Sequence, residues 1–111
     1  MSLQQHKDLA AGRWNELPFL EQMANIGSEV DRALKWRSKN NPAYCQQAFE
    51  RALELMDLTL ESATSLPRLK ELTRLREASV DYFFGTNEFM STEVSWRKYF
   101  AHFTYAARKN Y

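Results

Sequence analysis

Apolar residues recur every three or four positions in four long runs of this chain, and each run is bracketed by residues that start or stop a helix. The first run predicts a helix over about residues 18–39, with Leu20, Met23, Ile26, Gly27, Val30, Ala33 and Leu34 along one face. A second, over 42–62, turns Cys45, Ala48, Phe49, Ala52, Leu53, Met56 and Leu60 inward and carries Glu50, Glu54, Asp57 and Glu61 on its outer face, where Arg68, Lys70 and Arg74 at the start of the next run can neutralise them across the turn. A third, over 67–85, has a seam of Leu69, Leu72, Leu75, Ser79, Tyr82 and Phe83. The fourth, over 92–109, has Trp96, Tyr99, Phe100, Phe103 and Ala107.

The punctuation agrees with this division. Pro18, Pro42 and Pro67 each stand at the head of a run, where the missing N–H of proline would lack an intrahelical partner in any case. Asn40 and Asn41 suit a left-handed helix end, Gly85 suits a C-terminal cap, and Ser91 or Thr92 can accept from the free N–H groups of the last helix. No alternating strand pattern is present, and the connections are short. The expected fold is an all-α, antiparallel up-down four-helix bundle forming one domain over 1–111. Residues 1–17 are read as a partly ordered lead-in: Gly12 interrupts any helix there, while Trp14 and Leu17 fold back on the first helix.

Composition narrows the functional classes. Hydrophobic residues make up 44% and charged residues 26% of the 111, enough for one core under a polar surface. The net charge of +1 gives no broad field for nucleic acid or an anionic membrane. No apolar run is long enough to span a bilayer. Cys45 is the single cysteine, which favours a reducing, cytoplasmic setting. No Glu-x-x-His pair and no glycine-rich phosphate loop occurs, so no metal and no cofactor is expected.

Two regions carry candidate binding residues. Asn25, Ser28, Glu29 and Arg32 flank the first apolar stripe at spacings that bring Asn25 beside Glu29 and Ser28 beside Arg32. Their alternatives are a polar binding seam or plain intrahelical pairs. The C-terminal part holds ten of the fifteen aromatics, from Tyr82 to Tyr111. One helical stripe cannot hide them all, because Phe83 and Phe84 diverge by about 100° and Tyr105 lies about half a turn from Trp96. Exposed rings among Phe89, Trp96, Tyr99 and Tyr105 point to a protein partner, most simply a second copy in a homodimer; the alternative is a thick core in which Phe89 and Trp14 cover the extra rings. The reading is a non-catalytic protein that binds and self-associates through this aromatic surface.

The last run also contains Arg97-Lys98-Tyr99-Phe100-Ala101-His102, an Arg-x4-His. With the small size and helical pattern, this resembles the HEPN family, whose active members are dimeric, metal-independent ribonucleases or toxins. The resemblance implies Arg97 and His102 as catalytic residues acting on RNA: the imidazole moves the proton of a ribose hydroxyl while the guanidinium holds the phosphate. Lys98 stands where that family usually has a small polar residue, and Phe103 stands where its toxin-like members have Tyr. Asn25-Ile26, Glu29, Arg32 and Phe49 are in turn similar to a pattern in bacterial four-helix proteins of the intervening-sequence type.

Overall fold

A computed structural model describes residues 12–109, which form helices and no strand. The long helices are α1 (Phe19–Ser38), α2 (Pro42–Ser62), α3 (Leu66–Phe84) and α4 (Glu93–Lys109). They lie within one or two residues of the runs read from the sequence. Residues 12–16 are helical too, a correction to the reading of Gly12 as a break. The rest of the lead-in, residues 1–11, and Tyr111 lie outside the described residues.

Each boundary has a local cause. Pro18 immediately precedes α1, Pro42 opens α2, and Pro67 sits in the first turn of α3. Asn41 Oδ1 accepts from the Tyr44 N–H at 3.1 Å and Ser65 Oγ from the Arg68 N–H at 3.3 Å, each relieving an orphan donor of a first turn. α4 starts with a reciprocal pair: Thr92 Oγ1 accepts from Ser95 N, and Ser95 Oγ accepts from Thr92 N. Asn40 takes the left-handed conformation (φ 58°) that ends α1. Gly85 caps α3 for a different reason. Its backbone is extended, but a Cβ there would fall 2.9 Å from the Asp81 carbonyl oxygen, so the tight turn has room only for hydrogen.

α1 packs along both α2 and α4, and α3 packs on α2. One buried cluster runs through all four, including Met23, Ile26, Phe49, Met56, Leu72 and Phe100. The lead-in closes one side of it: Trp14 is buried, its Nε1 donates to Thr59 Oγ1 at 2.9 Å, and its carbonyl accepts from Gln22 Nε2 at 2.9 Å. Leu17 packs against the same cluster.

α1 and α4 approach most closely at Gly27. A Cβ on that residue would lie 2.8 Å from three side-chain atoms of Phe100, so this contact tolerates no side chain. The predicted outer face of α2 is less open than expected, because Glu54 and Asp57 are half-buried. Asp57 is paired with Arg76 of α3 at 2.8 Å. Arg68, read as a neutralising partner for that face, instead lies 4.6 Å over the ring of Phe19.

Gly27→Ala tests the close approach. The gain in helix propensity, about 1 kcal/mol, is outweighed by displacement of the buried Phe100 ring, at about 1–3 kcal/mol. Urea unfolding followed by circular dichroism is expected to show a net loss, with the midpoint lowered and the slope unchanged.

Candidate functional site

The predicted site residues fall into three separate places. The polar cluster on α1 divides. Asn25 Nδ2 donates to the Glu21 carbonyl and Ser28 Oγ to the Ala24 carbonyl, so both turn back on their own helix. Glu29 accepts from Arg32 at 2.9 Å and faces Arg51 of α2 at 3.5 Å. The expected pairings of Asn25 with Glu29 and of Ser28 with Arg32 are thus replaced, and Glu29 serves as an α1–α2 tie.

The Arg-x4-His residues diverge. Arg97 reaches across to α1, where Asp31 accepts from Nη1, while Glu93 accepts from Nη2 at 2.7 Å. Lys35 completes the cluster on Asp31 at 3.1 Å. These carboxylates raise the guanidinium pKa further, the Glu93 hydrogen bond most of all. A phosphate would have to displace both of them. Arg97 lines a groove of about 470 Å³ between α1 and α4, together with Gly27, Thr104, Tyr105 and Arg108. His102 is exposed, touches Phe103 ring to edge, and is not part of that lining. Within one protomer the pair does not share a cleft.

The aromatic residues converge more fully. α3 and α4 do not pack along one another; a groove of about 630 Å³ runs between them. Pro67, Leu75 and Ala78 of α3 line one wall, Trp96 and Tyr99 of α4 the other, and Phe89 of the connecting loop lies at its edge. Tyr82 and Trp96 close one stretch with ring centroids 6.1 Å apart. Three of the four predicted aromatic binding residues therefore share one site, and Tyr105 stands apart in the α1–α4 groove, 69% exposed.

Two polar atoms in this wall stand out: Tyr99 Oη faces the Glu71 carboxylate, and Trp96 Nε1 has no partner among the described residues. Trp96 is only 6% exposed and Tyr99 is half-buried, yet Trp96 Nε1 and Tyr99 Oη are both enclosed without a well-formed hydrogen bond. Burial pushes the Tyr99 pKa up, and the nearby Glu71 carboxylate adds to the rise, so the phenol keeps its proton throughout the neutral range. Lys70 and Arg74 face the same groove from α3. The sequence reading placed them beside the acidic face of α2; that they face a groove depends on the spacing of α3 and α4, for which the sequence carries no local signal.

The loop that carries Phe89 is tightly held. Asp81 Oδ1 accepts from Glu88 N at 2.8 Å and Oδ2 from Phe89 N at 3.0 Å. Asn87, at φ 59°, exchanges two side-chain hydrogen bonds with the Ser91 backbone. Met90 also stands in the left-handed region, at φ 57°, and is 83% exposed.

A third groove, at the start of α2, contains Cys45, Phe49, Phe83 and Phe84. Burial pushes the Cys45 thiol up, against a smaller opposing effect of Arg37, which disfavours the reactive thiolate. Among the described residues no group of three or more His, Cys, Asp or Glu is placed to hold a metal ion. No helix among the described residues is long and apolar enough to cross a membrane. No family model matches the chain, and no curated protein or solved structure matches it.

The raised Tyr99 pKa fixes a sign. Above the ordinary tyrosine value of 10.0 the unfolded chain releases this proton while the folded chain retains it, so stability falls as pH rises there. Tyr99→Phe is expected to flatten that fall in urea titrations at successive alkaline pH values. At neutral pH it should change stability little, since the hydroxyl's contact with Glu71 is not a well-formed hydrogen bond.

Proposed function

We propose that this protein is a non-catalytic, cytoplasmic binding module: an antiparallel up-down four-helix bundle that pairs with a second copy of itself through the aromatic surface of its C-terminal half. The observation that carries this reading is the α3–α4 loop. Its hydrogen bonds to Asp81 and Asn87 order the backbone, yet they present Phe89 and Met90 to water at 59% and 83% exposure. Val94, at 63%, extends the apolar surface onto α4.

A mobile loop could scatter such side chains without consequence; an ordered one presents them in fixed relative positions. Met90 also holds a left-handed backbone, which costs a non-glycine residue about 1–2 kcal/mol, with almost none of its side chain packed in the protomer to offset it. A partner that buries Phe89, Met90 and Val94 accounts for both the exposure and the strain. A net charge of +1 imposes little repulsion between two copies. The Arg97–Asp31–Glu93 cluster also favours binding over catalysis, because Arg97, to which the HEPN resemblance assigns the phosphate, is already engaged by carboxylates.

Sedimentation velocity at about 50 µM is expected to show a dimer, and the double variant Phe89→Ser, Met90→Ser to weaken it about thirtyfold, the loss of one central anchor. Helix content should be unchanged, because both side chains lie in the loop and are exposed. A chain that stays monomeric at that concentration overturns the association reading. Incubation with structured RNA in the presence of a chelator tests the alternative: cleavage that disappears in His102→Ala would replace binding with HEPN-like ribonuclease activity through Arg97 and His102.

A further inference from the structure

The methionines of this chain stand in sharply different surroundings. Of the four, Met1 lies outside the described residues. Met23 and Met56 are sealed in the core at 0% exposure, and Met56 Sδ accepts from the buried Ser79 Oγ at 3.8 Å. Met90 is 83% exposed. A thioether is oxidised by direct contact of its sulfur with the oxidant, so susceptibility follows access. Met90 is therefore the open thioether of the described chain, and it stands on the same surface as Phe89 and Val94.

We propose that Met90 is an oxidation site whose sulfoxide releases the association of two copies while leaving the protomer folded. The inference rests on the association reading and names how that surface is controlled. In the step, the Met90 sulfur gives a lone pair to one oxygen of hydrogen peroxide. An S–O bond forms and the O–O bond breaks. The departing hydroxide takes the proton of the transferred oxygen and leaves as water, so the sulfur loses the two electrons that the peroxide gains.

The consequence for pairing follows from polarity. A sulfoxide is a polar hydrogen-bond acceptor, and the flanking side chains of Phe89 and Val94 carry no donor to meet it. Covering it against a second apolar surface costs its hydration without replacement. The fold is spared because the loop is held through groups other than the thioether. Asp81 accepts from Glu88 N and Phe89 N, Asn87 bonds the Ser91 backbone, and Met90 N donates to the Asn87 carbonyl at 3.1 Å. One oxygen added to a side chain already in water displaces nothing. Cys45 is the other sulfur with partial access, in the groove at the start of α2, and burial there favours its thiol over the reactive thiolate. Pairing also protects Met90, since a second copy seated on the loop would cover the sulfur.

The test treats the full chain with hydrogen peroxide and reads oxygen uptake at each methionine by peptide mass spectrometry, with sedimentation velocity and circular dichroism on the same samples. Met90 is expected to be converted well before Met23 and Met56, and more slowly where the dimer prevails than after dilution. The dimer dissociation constant should rise at least about tenfold with helix content unchanged, and methionine sulfoxide reductase should restore it. Met90→Leu keeps an apolar side chain of similar volume without the sulfur. That variant should pair and ignore peroxide, which separates Met90 from Cys45 and Met1. Conversion of Met90 no faster than of Met23, or a Met90→Leu dimer that peroxide dissociates as it does the parent, overturns the proposal. Two further outcomes keep the readings apart. A chain that is monomeric before treatment removes the association reading and this switch together, whereas a dimer of undiminished affinity with Met90 fully oxidised removes the switch alone.

Discussion

The contact between Gly27 and Phe100 governs where the other helices can stand. With no side chain on Gly27, α4 sinks onto α1 until the Phe100 ring meets the α1 backbone, and Trp96 and Phe103 follow it into the core. The adjoining flank of α4 carries Tyr99, which with the edge of Trp96 is too large for an equally close approach to α3. α3 is instead held by α2, through Phe49 stacked on Phe83 at 4.4 Å and the Asp57–Arg76 pair. A short contact on one side and bulky rings on the other leave the α3–α4 seam open. The candidate site is in this sense a by-product of how α1 and α4 meet.

Charge reinforces the same arrangement. Arg97 is drawn toward α1 by Asp31 and braced by Glu93, with Lys35 on the far side of Asp31. Exposed pairs of this kind each contribute little, in the range of about 0–1 kcal/mol, but a cluster that crosses between helices fixes orientation as well. It also leaves Lys70 and Arg74 as the cations facing the open seam, with Glu71 between them and engaged with Tyr99.

Much of the helical framework was legible from periodicity and punctuation alone. The prolines, Asn40, Asn41 and Thr92 mark boundaries that depend on backbone chemistry a few residues wide, and such signals survive without tertiary context. The buried stripes of α1 and α4 were read for the same reason, since each helix has one apolar face to hide. What escaped was whatever depends on the spacing between helices. Glu29 finds Arg51 rather than Asn25, Asp57 finds Arg76 rather than Arg68, and Lys70 and Arg74 face a groove instead of an acidic surface. Phe89 was read as exposed, but the hydrogen bonds that hold its loop come from Asp81, eight residues earlier and on another element.

That last bond ties two parts of the molecule into one mechanical unit. The Asp81 carboxylate belongs to the final turn of α3, while its carbonyl receives Gly85 N and Asn87 N, so helix end and loop share a single anchor. Fraying of this turn and release of Phe89 are therefore one event. Whatever steadies the end of α3 also sets the pose of the ring at the outer rim of the molecule.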